Sequence, residues 1–163
     1  MSILMALASV GHLLPAMWLP VLLWMGVIFV MSAMPGETSS EQSGTIVKLL
    51  SAVYGFLTGS AALPQRAIDL LGLLVRKAAH MGEYAVLAML SARAFRRSGA
   101  KRPLLSALLL SAAYAASDEF HQAFVPERGP SPVDVAIDCA GAAIGLCCVR
   151  LYACVCRIRK KSK

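Results

Sequence analysis

Four long apolar stretches, separated by polar segments, dominate the pattern of this chain. They cover residues 13–34, 71–95, 103–124 and 133–156. Each is close to the roughly 20 apolar residues that cross the hydrocarbon core of a bilayer. The first lacks the positive flank of a cleaved signal peptide, and its apolar run is too long for one. The pattern predicts an all-α polytopic membrane protein of about four transmembrane helices, with residues 1–163 forming a single domain.

The connection between the first two predicted spans is the longest in the chain. Residues 35–44, PGETSSEQSG, show no periodicity and are predicted to form a polar loop. Residues 46–57 are apolar but too short to span comfortably, so they predict an interfacial or re-entrant helix on the outer face. An ordinary loop helix is the alternative. Pro64 is then expected to open the next helix, because proline is favourable in a first helical turn.

Composition and charge support a membrane protein and predict its orientation. The chain is 58% hydrophobic and 15% charged, whereas soluble domains carry about 25% charged residues. Basic residues without any acid occupy 93–102 and 150–163. By the positive-inside rule, the 93–102 loop and both termini are predicted to be cytoplasmic, and the protein is expected to be a multi-pass protein of the bacterial cell membrane. The net charge of +7 then reflects orientation and contact with anionic lipid, with no need for nucleic acid.

Each of the last three predicted spans carries one stripe of polar side chains near its predicted outer end. The stripes consist of Lys77, His80, Glu83 and Tyr84 in the second span, of Asp118, His121 and Gln122 with Glu119 beside them in the third, and of Asp134 and Asp138 in the fourth. A charge buried singly in hydrocarbon costs several kcal/mol, so these groups are expected to pair or to line a wet cavity. The sequence therefore predicts an outward-facing polar pocket, with the turn that carries Arg128 folded over it.

The residue types in the stripes suggest roles. Four residues are predicted to be catalytic: His80, Glu83, Glu119 and Asp138. Six are predicted to bind substrate: Lys77, Tyr84, Asp118, Gln122, Arg128 and Asp134. A histidine beside a carboxylate offers an acid–base pair, and the two cations can hold phosphate or carboxylate.

Structural roles remain open for several of these residues. Lys77 could extend its amine to the interface, and Asp134 could cap the fourth span. Arg128 is expected to form a bidentate ion pair with Asp138 or Glu119, which could serve only to hold the outer loop.

No cofactor or metal is predicted, because the spacing of the possible ligands His80, His121, Glu119 and Asp118 is not diagnostic of a metal site. The chain has no GxSxG, HExxH or phosphate-loop pattern, which argues against a standard hydrolase, metalloprotease or NTPase. The five cysteines have no CxxC spacing and are expected to be small apolar helix residues. Gly141 and Gly145 form a GxxxG motif, the spacing that lets two helices approach closely.

Two segments resemble the VanZ-like family of small membrane proteins: KAAHMGEYAVLAML and DEFHQAFVPERGPSPVDVAIDCAGAAIG. The family pattern matches this chain at Lys77, His80, Tyr84, Glu119, Gln122, Phe124, Arg128, Asp134, Asp138 and Gly141. The chain departs from it at Asp138, where the family often has Asn, so the charge there is not a shared requirement. The resemblance covers about residues 20–150 and includes the Ser-rich segment after the first span.

The resemblance implies an accessory role at the cell envelope, because the name-giving member contributes to low-level teicoplanin resistance. It implies no particular reaction. One hypothesis is an enzyme that acts on an envelope lipid or a lipid-linked cell-wall precursor. A second is a protein that binds or shields such head groups without chemistry, and a third, less favoured because no inverted repeat is evident, is a small proton-coupled transporter. The sequence predicts no oligomeric state.

Overall fold

The computed structural model describes residues 2–59 and 63–161, and the side chains of residues 16–36, 41, 43–59 and 63–160. The described residues form five α-helices and no strand. The helices are α1 (Ser2–Ser32), α2 (Gly36–Thr58), α3 (Gln65–Arg97), α4 (Pro103–Gln122) and α5 (Pro132–Lys161). The all-α prediction is confirmed. The four predicted spans coincide with parts of α1, α3, α4 and α5, and those in α1 and α4 extend two residues past the end of the helix.

The prediction that residues 35–44 form a loop is wrong, because α2 begins at Gly36 and includes them. Pro35 precedes the helix with extended backbone angles, and the Gly36 N–H donates to the Pro126 carbonyl at 3.3 Å. Ser43 and Val47, one turn apart, are both buried. Tertiary contacts of this kind stabilise a helix that local periodicity does not reveal. Gly59, with a left-handed φ of 68°, ends it.

Helix α3 is the centre of the molecule and contacts every other helix. From Tyr84 onward its inner face is buried and carries mostly small residues, including Ala88 and Ser91. Helix α5 lies directly against it. A Cβ atom added at Gly141 would be 2.3 Å from the Met81 carbonyl oxygen, and one at Gly145 would be 2.4 Å from that of Ala85. The close approach predicted from GxxxG is therefore confirmed.

Hydrogen bonds made by aromatic side chains help to attach α1 to α3 and α4. The Trp24 indole donates to the Glu83 carbonyl at 2.8 Å, and the Tyr114 hydroxyl donates to the Met25 carbonyl at 2.6 Å. Near the other end of α1, Trp18 packs edge-on against Phe95. Helix α1 thus lies against α3 and α4.

Helix α2 is attached differently, since among the described helices it contacts only α3. Its contacts are with the first third of α3, which contains no buried residue before Tyr84. We refer to α2 and residues 65–76 of α3 as the α2/α3 hairpin. At about 1.5 Å per residue the 33 residues of α3 measure about 50 Å. One helix therefore serves both the bundle and the hairpin.

By length and apolar composition, the described residues contain one helix able to cross a membrane, Pro132–Lys160. Ala16–Ser32 and Ser43–Thr58 are shorter apolar helices. Helices α3 and α4 contain the polar stripes, which lower their mean hydropathy. All five helices expose large apolar side chains, for example Leu22, Val53, Leu70, Leu109 and Leu151. The helices exist where predicted, and their assignment as four spans stays a prediction.

Candidate functional site

A polar cavity of about 140 Å³ lies where the N-terminal part of α5 meets α3 and the end of α4. We call it the polar pocket. Its polar lining comprises Arg76, Lys77 and His80 from α3, Glu119 and Gln122 from α4, Glu127 and Arg128 from the α4–α5 loop, and Asp134 and Asp138 from α5. The stripes predicted on three separate helices thus converge on one cavity, because α3, α4 and α5 all pack against one another.

One ion pair joins two walls of the polar pocket. Lys77 Nζ contacts the Asp134 carboxylate, and both side chains are 28% exposed. Because the partners lie on α3 and α5, the pair links these helices just beyond the Gly141 contact. Lys77 is thus engaged by a carboxylate across the pocket, and Asp134 is more than a helix cap.

The deepest polar groups of the pocket lie on α4 and α5. Glu119 and Asp138 are 6% and 2% exposed, respectively. Glu119 Oε2 accepts a hydrogen bond from the Ser131 N–H at 2.8 Å, which ties the α4–α5 loop to α4. Gln122 Nε2 donates to Ser32 Oγ at 3.0 Å and to Asp118 Oδ2 at 3.3 Å. These bonds fix the orientations of the Glu119 carboxylate and the Gln122 amide.

His80 and Glu83, which the sequence predicts as an acid–base pair, lie close together, and their chemical role stays a prediction. His80 Nδ1 lies 3.5 Å from Glu83 Oε2, one turn along α3. Glu83 does not line the polar pocket but a neighbouring cavity of about 210 Å³, which His80, Arg76 and Arg128 also line. His80 therefore stands between the two cavities, with Glu83 on the far side of its ring.

Arg128 lies at the pocket mouth, on a loop whose shape depends on α2. Glu127 has a positive φ of 59°, and a Cβ atom at Gly36 would be 2.6 Å from the Glu127 carbonyl oxygen. The start of α2 thus packs directly against the residue before Arg128. Burial lowers the pKa of the Arg128 guanidinium, and the positive charge of Arg76 lowers this pKa further, while nearby carboxylates act in the opposite direction.

The predicted bidentate ion pair of Arg128 with Asp138 or Glu119 is wrong. Among the described residues, Lys77 pairs with Asp134 and His80 lies beside Glu83, and Arg128 forms no ion pair with Asp138 or Glu119. Glu119 directs its carboxylate to the Ser131 N–H instead, because the loop returns to α4 at that point. The Arg128 guanidinium, which is always charged in proteins, lines the cavity, and no ion pair joins it to a carboxylate in the described part of the chain.

Two predicted binding residues lie beneath the pocket rather than on its surface. Tyr84 is fully buried, and its hydroxyl has no hydrogen-bond partner among the described residues. Its ring centroid lies 6.3 Å from that of Tyr114. Asp118 is 4% exposed and accepts from Gln122. Neither residue is among those that line the polar pocket.

Sequence reasoning missed Arg76, which lines the polar pocket and both neighbouring cavities. A signal was present, since Arg76, His80 and Glu83 follow the spacing i, i+4, i+7 of one helix face. Sequence reasoning also missed Glu127, which lines the pocket from a turn in which its φ is positive. The sequence gives no signal of this conformation, because a positive φ at a non-glycine residue is decided by the turn.

A metal site is not supported by the geometry. Among the described residues, no group of three or more His, Cys, Asp and Glu side chains is arranged to hold an ion. His121, which sequence analysis could not separate from a ligand by spacing, packs its ring against Phe29 with centroids 4.6 Å apart. It is not among the residues that line the polar pocket.

Comparison with known proteins assigns the chain at the level of family. No curated protein and no protein of solved structure matches the chain. The sequence profile of the VanZ/LLP1 family matches residues 17–153. This range contains every residue of the polar pocket and confirms the resemblance to VanZ-like proteins. The chain belongs to the VanZ/LLP1 family.

Proposed function

We propose that this chain is a multi-pass membrane protein whose polar pocket opens at the outer face and acts on a phosphate-bearing envelope lipid or lipid-linked cell-wall precursor. In this proposal α1, α3, α4 and α5 span the membrane. Support for a membrane environment comes from the large apolar side chains exposed on all five helices, since soluble monomers rarely expose large contiguous apolar patches.

Charge supports the orientation. Arg96 and Arg97 end α3, Arg102 precedes α4, and the last turns of α5 carry Arg157 and Arg159. These basic residues all lie at the bundle end opposite to the polar pocket, because α4 runs antiparallel to α3 and α5. The positive-inside rule then puts that end in the cytoplasm, and the pocket at the outer leaflet.

The observation that carries the proposed function is the convergence of cations and proton-transfer groups on one cavity. Arg76 and Arg128 present guanidinium groups, whose planar donors match phosphate oxygens. A pocket that only bound anions would gain nothing from Glu119 and Asp138, because like charges repel. A pocket that transfers a proton during a reaction can use both carboxylates, with His80 as a third proton-transfer group.

Within this proposal the residues divide into three tasks. Arg128 and Arg76 hold the head group, His80 with Glu119 or Asp138 transfers the proton, and the remaining residues keep these side chains in place. Glu83 orients the His80 ring through the 3.5 Å contact. The Lys77–Asp134 pair keeps α3 and α5 together at the pocket.

A second candidate function is head-group binding without chemistry. It is favoured by the engagement of two pocket groups in the scaffold, namely Lys77 with Asp134 and Glu119 with the Ser131 N–H. Such a protein would shield its ligand and change no bond. Family membership supports a role at the envelope in either case, with teicoplanin susceptibility as the phenotype to measure.

The test compares wild type with His80→Gln and Glu119→Gln in a teicoplanin-susceptible Gram-positive host. Inhibitory concentration is measured together with mass spectrometry of envelope lipids and wall precursors. We expect a protein-dependent lipid or precursor species that falls at least about 100-fold in both variants, the scale of a lost general acid or base. His121→Gln is the matched control, because it makes the same substitution outside the pocket.

The two candidate functions give different results. The first possible result is protection against teicoplanin without a new lipid or precursor species. If this protection is retained in His80→Gln and lost in Arg128→Ala, the result favours binding over chemistry. If all pocket variants insert into the membrane and act like wild type, the pocket has no part in function and the proposal fails.

A further inference from the structure

A second, larger cavity adjoins the polar pocket within the α2/α3 hairpin. Its volume is about 580 Å³, against about 140 Å³ for the polar pocket. Gly44 and Val47 of α2 form part of one wall, and Ile68, Gly72 and Leu73 of α3 form part of the other. Most of the surface that these residues offer is hydrocarbon. We call this cavity the α2/α3 groove.

The groove exists because glycines face each other across the hairpin. A Cβ atom added at Gly44 or Gly72 would meet no atom within 4 Å. Among the described helices, only α3 contacts α2, so no third helix fills the space between them. The absence of two side chains thus leaves an apolar cleft in a pair of otherwise adjacent helices.

The groove runs along the helices and ends at the polar pocket. Its lining extends from Ser43 to Ser51 on α2 and from Ile68 to Arg76 on α3, a length of about 12 Å at 1.5 Å per residue. Leu73 and Arg76 line both the groove and the polar pocket. Ser43 and Arg76 also line the cavity that contains His80 and Arg128. The three cavities are therefore neighbours around Arg76.

The chemistry changes along this path. At one end are charged groups suited to an anionic head group. Beyond Arg76 most of the exposed wall surface is hydrocarbon, although Lys48 and Asp69 also line the groove. The outer surface of the hairpin exposes Leu49, Phe56 and Leu70, which suits contact with the hydrocarbon of a membrane leaflet. A molecule that fits both ends has a charged head and a flexible apolar chain.

We infer that the α2/α3 groove binds the hydrocarbon chain of a lipid whose phosphate-bearing head group occupies the polar pocket. The inference rests on the proposed function and narrows its substrate to an intact lipid rather than a soluble head group. Arg76 lies at the junction, where its positive charge complements a phosphate. Phospholipids and polyprenyl phosphates share this chemistry.

Photo-crosslinking of the full-length protein tests the inference. The protein is held in dodecyl maltoside micelles, which contain no phosphate, with one of two probes. One is a phosphatidylglycerol with a diazirine in its acyl chain, and the other is a polyprenyl phosphate with a diazirine in its chain. We expect labelling of peptides that contain residues 43–51 and 68–76. The probe that labels more strongly identifies the source of the lipid, and no labelling of these peptides by either probe overturns the inference.

Two glycine variants on one helix provide a matched comparison. Gly72→Leu places a side chain in the groove, whereas Gly82→Leu makes the same change on an exposed part of α3 that lines none of the three cavities. A Cβ atom at Gly82 also meets no atom within 4 Å, so both substitutions are expected to fold. We expect labelling to fall at least tenfold in Gly72→Leu and to be unchanged in Gly82→Leu. Gly44→Leu fills the groove from the opposite wall and repeats the test.

Arg128→Ala separates this inference from the proposed function. Labelling that is lost in Arg128→Ala but unchanged in Gly72→Leu and Gly44→Leu overturns the groove and leaves the polar pocket standing. Labelling that is lost in the glycine variants but unchanged in Arg128→Ala supports the groove and contradicts the head-group role of the polar pocket. Loss in both classes of variant supports the two together.

Discussion

Helix α3 takes part in two regions that use glycine to opposite effect. In the bundle, Gly141 and Gly145 bring the α5 backbone so close to α3 that no Cβ atom fits. In the α2/α3 hairpin, Gly44 and Gly72 leave a cleft that a Cβ atom would enter without contact. The residue is the same, and the difference lies in what faces it.

The bundle is the rigid region of the molecule, and the α2/α3 hairpin is the adaptable one. The bundle holds Lys77, His80, Glu119 and Asp138 at set positions through tight backbone packing and buried hydrogen bonds. The hairpin makes few buried contacts and contains the larger cavity. Charged groups that bind and transfer protons need defined geometry, whereas a hydrocarbon chain needs only apolar space. The molecule combines both along one helix.

The largest effect is expected from Gly141→Ala. Its Cβ atom would lie 2.3 Å from the Met81 carbonyl oxygen and 2.7 Å from the Met81 Cα, so α5 must move away from α3. Overpacking of this kind costs about 1–3 kcal/mol, sometimes more. SDS-induced unfolding of the detergent-solubilised protein, followed by circular dichroism, measures the change in unfolding free energy.

Gly72→Ala and Gly82→Ala are the controls for this variant. Both fill open space in a helix, so the free energy of unfolding should rise by about 0.5–1 kcal/mol. If Gly72→Ala destabilises as much as Gly141→Ala, the hairpin is packed as tightly as the bundle and the comparison is wrong.

Hydrogen exchange should show an intermediate difference between the two regions. Backbone amides of residues 43–58 and 65–76 are expected to exchange at least about tenfold faster than those of residues 84–94, because segments with few buried contacts open more readily. Exchange mass spectrometry in detergent measures the rates. Equal protection in the two regions would mean that the hairpin is as rigid as the bundle. If a phosphate-bearing lipid slows exchange only in the hairpin and the pocket, the hairpin is the region that adapts to a bound lipid.

The smallest effect is expected at the ion pair between Lys77 and Asp134. Both side chains are 28% exposed, so the pair lies between an exposed pair, worth at most about 1 kcal/mol, and a fully buried one. We expect Lys77→Met or Asp134→Asn alone to destabilise by about 1 kcal/mol. The double variant should cost less than the sum of the two, as a double-mutant cycle of unfolding free energies will show. Additive effects would mean that the pair does not link α3 to α5.

Much of the fold followed from local pattern. The apolar stretches predicted the positions of α1, α3, α4 and α5, and the GxxxG spacing predicted the contact at Gly141, because both signals depend on residues within a few turns of one helix. Helix α2 was underestimated, since its polar first turns are stabilised by contacts with residues far along the chain, such as Pro126.

The site shows the same division. Helical spacing identified His80, Glu119 and Asp138 as candidate pocket residues. The same spacing places Arg76 on the face of α3 that carries His80. It could not assign partners. The expected Arg128 ion pair was wrong, and Tyr84 proved to be buried below the cavity, because a stripe on a helix does not specify depth within a bundle.

The sequence by itself determined the positions of α1, α3, α4 and α5, which face of each of the last three predicted spans is polar, and that the chain resembles VanZ-like proteins. These properties arise from side-chain periodicity and composition, which are local. Only the tertiary structure decided that Lys77 pairs with Asp134, that Glu119 holds the Ser131 N–H, and that the glycines of α2 and α3 leave a groove. Those outcomes depend on distances of a few ångströms between helices, and such distances are set by the packing of the whole molecule.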